Sequence, residues 1–247
     1  MFSSIDFSVL SFIRDKSAEH KSKLDLLVPN TVKGTFEAHV TIDCSIDTEG
    51  CIERLKKACE NSKYKIIFIN LNTQNKQANL QQLMTSSYHC GEYPTIVEQI
   101  EKEAYGYFKD FPIIRVKIEA LASNAGVPET DLEKYFFWDG ESTYFEFHYK
   151  VQISTDKNKN ELNKLRQICN DQNAYNLHLS HNAFRQVDEN HFHYMITMRL
   201  FNVGRQNAFA QNENVVTYLT GQNFPPLKVV REFVVYDSYI GLDKDWR

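Results

Sequence analysis

The sequence predicts an α+β fold made of two copies of a β-α-β-β-α-β unit, and three observations carry that expectation. Phe145-Glu146-Phe147-His148 repeats Phe36-Glu37-Ala38-His39. From there the copies stay in step: Leu55 answers Leu165, Cys59 answers Cys169, Tyr64 answers Tyr175, Tyr107 answers Tyr218, and Phe111-Pro112 answers Phe224-Pro225, with an offset that drifts only from 109 to 113 residues. The length of 247 residues suits two units of roughly a hundred residues each. A repeat of this kind sets architecture before any local reading does.

Taken in order, residues 1–33 form an N-terminal helical segment, with Ile5, Phe7, Val9, Leu10, Phe12 and Ile13 ahead of a charged stretch and Leu24, Leu26 and Leu27 before Pro29-Asn30. Residues 34–43 alternate strictly. Phe36, Ala38, Val40 and Ile42 lie on one face, and Glu37, His39, Thr41 and Asp43 on the other, the period of a strand with one face in a core. A helix over 49–61, strands over 64–71 and 83–89, a helix over 94–108 and a strand over 112–120 complete a first lobe, 34–122. This order is that of a ferredoxin-like unit, an antiparallel sheet with both helices on one face. Residues 123–142, with Gly126 and Pro128, read as the linker. The second lobe and C-terminal tail, 143–247, repeat the order through strands at 144–153, 176–184, 191–203 and 227–236 and helices at 160–171 and 205–220.

Composition narrows the function classes. A net charge of −4 and a pI near 6.1 argue against an extended nucleic-acid surface but allow a small phosphate-bearing ligand or an RNA end. No run approaches the roughly 18 apolar residues that span a bilayer, and the opening residues lack the order of a secretory signal. The expectation is a cytoplasmic protein without a membrane segment. Five cysteines without a CxxC pair suit reduced thiols, with Cys59 and Cys169 as core residues. No Walker loop, GxGxxG, GxSxG or HExxH occurs, so ATP hydrolysis, dinucleotide redox chemistry and zinc proteolysis lose their main sequence support.

Strand alternation separates a helix-packed face from a free face in each lobe. Glu37, His39 and Thr41 correspond to Glu146, His148 and Lys150 on the free faces, while Arg115, Lys117 and Glu119 correspond to Lys228, Val230 and Glu232. His178 shares a face with Ser180, and Thr197 with Arg199. A hairpin turning near Asp188 sets His178 across from about Met198 and so close to Arg199. Two such faces meeting across an interlobe cleft supply imidazoles for proton transfer, hydroxyls for phosphate oxygens and a guanidinium fork. His178, His181, His191 and His193 have no common convergence and no short-spaced Asp or Cys, so a metal-free site is expected. Residues 204–207 at a helix start and His89-Cys90-Gly91 are secondary candidates, read respectively as an ordinary strand-to-helix turn and an isolated pair.

His39-Val40-Thr41 and His178-Leu179-Ser180 resemble the His-x-Thr/Ser motifs of the 2H phosphoesterase superfamily, duplicated two-lobe proteins that cleave cyclic or related phosphodiesters without a metal or other cofactor. The resemblance implies His39 and His178 as the acid–base pair and Thr41, Ser180 and Arg199 as holders of the phosphoryl oxygens, on a cyclic or small nucleotide or an RNA end. The repeat instead pairs His39 with His148, which is followed by Tyr149-Lys150 and lacks the hydroxyl. Motif and repeat therefore choose different partners for His39. The rival expectation from the same residues is a noncatalytic module that holds an anionic ligand or a protein partner through Arg199 and Lys150.

Overall fold

The computed structural model describes residues 31–71, 80–154, 158–171, 175–182, 186–188 and 191–243. The expected N-terminal helix lies outside the described residues. The first half runs β1 (Lys33–Ile42), α1 (Thr48–Cys59), β2 (Lys65–Leu71), β3 (Leu80–Glu92), α2 (Thr95–Tyr107) and β4 (Ile113–Leu121). A short helix α3 (Asp131–Phe137) follows, inside the stretch read as a linker. The second half runs β5 (Tyr144–Ser154), α4 (Asn158–Asn170), β6 (Leu177–Asn182), β7 (Gln186–Asp188), β8 (His191–Phe201), α5 (Arg205–Gly221) and β9 (Lys228–Asp237), and a 3-10 turn spans Ile240–Asp243.

Every strand pairing is antiparallel, and the order β4-β1-β3-β2 in the first half has its counterpart in β9-β5-β8-β6 in the second. The halves join edge to edge twice, β4 to β9 and β2 to β6. With β5 on both β8 and β9, eight strands close into a ring, and β7 lies beside the start of β8. This corrects the expectation of two sheets facing each other across an open cleft. An antiparallel sheet with a paired partner at both edges has no free edge left, and the strand twist carries it round on itself. The free polar faces thereby become the inside of a barrel.

The helices cover the outside. Cys51, Leu55 and Cys59 of α1, Ile96, Val97, Ile100 and Ala104 of α2, and Ala208, Val215 and Leu219 of α5 are buried at helical spacing against the outward strand residues Phe36, Ala38, Val40, Val116, Ile118, Phe145 and Phe147. Side-chain caps mark the starts of α1 and α3: the Asp47 carboxylate accepts the Gly50 N–H at 3.0 Å, and Thr130 and Glu133 form a capping box on α3. One apolar cluster contains residues of both halves, so the barrel has one core rather than one per lobe. None of the described helices is long and apolar enough to cross a membrane.

The turn before α5 settles one secondary candidate. Its backbone donors are taken: Gly204 N–H donates to Asp131 Oδ1 at 2.7 Å, Arg205 N–H to the Pro128 carbonyl at 2.8 Å and Gln206 N–H to the Glu129 carbonyl at 3.1 Å. This is structural docking of α5 onto the start of α3. A Cβ on Gly204 would sit 2.2 Å from the Thr130 carbonyl carbon, whereas one on Gly106 in α2 would meet nothing within 4 Å. Gly204→Ala should therefore destabilise the protein by about 2 kcal/mol or more through forced backbone movement, while Gly106→Ala should stabilise it by about 0.5–1 kcal/mol. Urea denaturation of both variants checks this; equal midpoints would refute the close approach.

Candidate functional site

The inward residues of the ring enclose a cavity of about 380 Å³, a size suited to a small ligand. Glu37, His39 and Thr41 of β1, Arg115 and Lys117 of β4, Glu146, His148 and Lys150 of β5, Ser180 of β6, Thr197 and Arg199 of β8, and Lys228 and Glu232 of β9 line it. They alternate along their strands with the outward apolar residues, so the period of two that buries one face in the core aims the other into the lumen. His178 belongs to this inner face as well. It pairs with Thr197 rather than with Met198, one residue from the expected register, and it lies beyond the lined volume.

All seven residues singled out from the sequence, His39, His148, His178, Thr41, Ser180, Arg199 and Lys150, thus lie on strand positions of the inner face. Their partners are what the sequence did not reveal. His39 Nε2 lies 3.0 Å from Glu119 Oε2, and His148 Nε2 lies 3.4 Å from Glu232 Oε2. The other nitrogen of His148, Nδ1, meets Thr197 Oγ1 at 2.9 Å, and that of His39 is buried without a hydrogen-bond partner among the described residues. Both imidazoles therefore point their Nε2 atoms at carboxylates on the β4–β9 seam.

The deeper cations are matched in the same way. Lys117 Nζ sits between Glu119, at 2.7 Å, and Glu146, at 2.6 Å. Arg199 donates through Nε to Glu146 Oε1 at 2.8 Å and through Nη2 to Asp243 Oδ2 at 2.8 Å. Arg115 holds Asp237 with two donors, at 2.8 and 2.5 Å, and Asp243 with a third at 2.7 Å. Arg199, expected to grip a phosphoryl group, is thus engaged by two carboxylates of its own chain. Glu119, Glu146 and His148 also present donor atoms within 4.8 Å of one another, the one such group with metal-ligand geometry among the described residues. The Lys117 ammonium already pairs with two of its three members, so a divalent cation would have to compete with it.

Burial and pairing set the protonation of this network. For both His39 and His148 burial disfavours the imidazolium, but the neighbouring carboxylates, Glu119 for the first and Glu232 with Glu146 for the second, outweigh it and raise the pKa. Burial alone would lift Glu119 and Glu146; Lys117 and His39 bring the first below the usual carboxylate range, and Arg199 and Lys117 bring the second well below it. Glu232 goes the other way, raised by burial and by the charge on Glu119. Asp243, flanked by Arg199 and Arg115, falls to about 2 despite its burial.

The two ends of the lumen differ. Arg115, Asp237 and Asp243 are buried at the end where β1 stops and β4 begins. At the opposite end Lys228 is exposed and Lys150 half-buried. These two lysines are direct partners on neighbouring strands, and neither has an ion-pair partner among the described residues. Like charges placed directly opposite each other in a sheet are unfavourable.

The remaining candidates lie elsewhere. His181 Nε2 is 3.0 Å from Asn70 Nδ2, and His89 Nε2 is 2.9 Å from Ser87 Oγ, on outward strand positions. Cys90 Sγ lies 3.8 Å from Thr35 Oγ1, at strand positions of the opposite face to His89. No Cys–His pair forms there.

No family model matches the chain, and no curated protein does. Among solved structures it is similar to an anthrone oxidase-like protein, at 12% identity and a TM-score of 0.27, covering 85% of this chain and 93% of that one. It is also similar to the chlorite dismutase from Candidatus Nitrospira defluvii, at 11% identity and a TM-score of 0.25, covering 91% and 98%. Likeness at this level carries no argument about function.

The His39–Glu119 pair makes its own prediction. With the folded pKa of His39 raised, the pair contributes stability that is complete below pH about 6.5 and is lost as pH rises through the folded pKa. Glu119→Gln removes the main opposing charge, so burial should then bring the His39 pKa below that of a free imidazole. Imidazole NMR titration of the variant reads this directly, and a His39 pKa that stays raised would overturn the assignment.

Proposed function

We propose that the barrel lumen binds a small anionic ligand, with a phosphate-bearing molecule as the leading class, and that the anion is admitted and held at the Lys150–Lys228 end. The observation that carries this reading is the pair of opposed lysines lining the exposed end of a 380 Å³ cavity whose deeper cations are matched by carboxylates. A dianion that reaches both ammonium groups gains charge-assisted hydrogen bonds. Protonated His39 and His148 add positive potential behind them. We further infer that the two halves are copies of one ferredoxin-like unit, supported by the collinear landmarks and the matching strand orders.

A second reading, hydrolysis of a small phosphodiester, is favoured by the two imidazole–carboxylate pairs. In that reaction one imidazole takes a proton from water as its oxygen bonds to phosphorus. The ester P–O bond breaks, and the other imidazole protonates the leaving oxygen. The acid–base roles fall to His39 and His148, which converge on the same seam, rather than to His39 and His178. Each Nε2 would first have to release its carboxylate, because both lie against one. For that reason binding is the better supported reading.

Calorimetric titration of the wild-type chain with inorganic phosphate and with adenosine monophosphate tests the proposal. Lys150→Ala with Lys228→Ala should weaken the affinity about tenfold or more; unchanged affinity, or no binding by the wild type, would sink it. A screen of 2',3'- and 3',5'-cyclic nucleotides decides the second reading. If the wild type turns any of them over, His39→Ala and His148→Ala should each cost about a hundredfold to ten-thousandfold in rate, with chelators without effect; absence of turnover removes that reading and leaves the first intact.

A further inference from the structure

The closed end of the lumen already contains an anion, supplied by the chain itself. The 3-10 turn Ile240–Asp243 follows the last strand and sends the Asp243 carboxylate into the barrel. One of its oxygens, Oδ2, accepts from Arg115 Nη1 at 2.7 Å and from Arg199 Nη2 at 2.8 Å, and the other accepts from Gln82 Nε2 at 2.7 Å. The three donors come from β4, β8 and β3, so the carboxylate is gripped from three directions, as an oxyanion is in a built site.

The attachment of the turn is lopsided. The residues just before it are tied to the barrel wall: Ser238 exchanges two hydrogen bonds with the Val116 backbone at 3.0 and 2.8 Å, and Tyr239 N–H donates to Asp237 Oδ1 at 3.1 Å. The turn itself has the Leu242 N–H to Tyr239 carbonyl bond at 3.1 Å, and among the described residues its hydrogen bonds to the barrel interior are those of the Asp243 side chain. Arg115 and Arg199 both line the same cavity as Lys150 and Lys228. An anionic group that travels down the lumen therefore meets the two guanidiniums that Asp243 occupies.

We infer that Arg115, Arg199 and Gln82 form an inner oxyanion site, for a phosphate or carboxylate group, in which Asp243 stands in for the ligand and from which ligand binding expels the C-terminal turn. This rests on the lumen being a binding site for anions, and it adds an inner subsite and a moving element to it. Arg115 keeps Asp237 and Arg199 keeps Glu146 when Asp243 leaves, so both guanidiniums remain held in place for the incoming oxygens. Ligand and turn compete for the same donors, so each weakens the other by the same factor.

Two measurements test this, with inorganic phosphate as the probe. Asp243→Asn keeps the shape of the side chain and removes its charge, so phosphate should bind the variant about tenfold or more tightly than the wild type, and saturating phosphate should restore any melting temperature lost. In the wild type, phosphate should accelerate hydrogen–deuterium exchange of the peptide covering residues 238–247 and leave the β4 and β8 peptides protected. Equal or weaker phosphate binding by Asp243→Asn, or exchange at 238–247 that phosphate does not change, would overturn the inference. The Lys150→Ala/Lys228→Ala comparison fails separately, because it reads the outer lysines and not this end of the barrel.

Discussion

Closure of the ring is the constraint on which the rest of the structure depends. Once β4 pairs with β9 and β2 with β6, inward side chains from all eight strands are brought around one confined volume. In an open sheet these side chains would be solvated singly. Inside a barrel they lose most of their water, and a buried charge without a partner is costly. The observed arrangement of alternating acids and bases follows from that cost.

The alternation has a spatial logic. Glu119 and Glu232, at equivalent places in the two halves, stand at the β4–β9 seam, each against the imidazole that the repeat equates, His39 and His148. Lys117 ties Glu119 to Glu146, Arg199 ties Glu146 to Asp243, and Asp243 ties Arg199 to Arg115. The chain of ion pairs runs from the seam to the closed end without a break, and the opposed lysines lie outside it. Such networks contribute little net stability compared with apolar packing, because desolvation offsets most of the attraction. Their value is positional: they hold charged groups in fixed places in a low-dielectric volume, which is what recognition of a small ion requires.

The same network explains why the hydrolytic reading is the weaker one. A general base needs a nitrogen with a lone pair facing the reacting water. Here the carboxylates raise the imidazole pKa values and take the Nε2 atoms, which favours imidazolium over imidazole. The motif His-x-Thr/Ser is present in sequence, and its hydroxyls Thr41 and Ser180 do line the lumen, but the groups around each histidine decide what it can do.

What the sequence by itself determined was local: which residues alternate, which face of each strand is polar, and that the pattern occurs twice. His39, His148, His178 and Arg199 could be assigned to the inner face from period two alone, since pleating leaves no other option once the apolar face is buried. The helix α3 was missed because the stretch 123–142 has turn signals at its start and too short a helical period after them. Glu119, Glu232, Lys117 and Asp243 were visible as residues but not as partners. Period gives the face of a side chain, whereas its neighbour depends on which edges join, and those joins link strands that are far apart in the chain. Only the tertiary structure decided that the two polar faces would enclose one lumen, because edge-to-edge pairing at both seams is a property of the closed sheet and is written in no single segment.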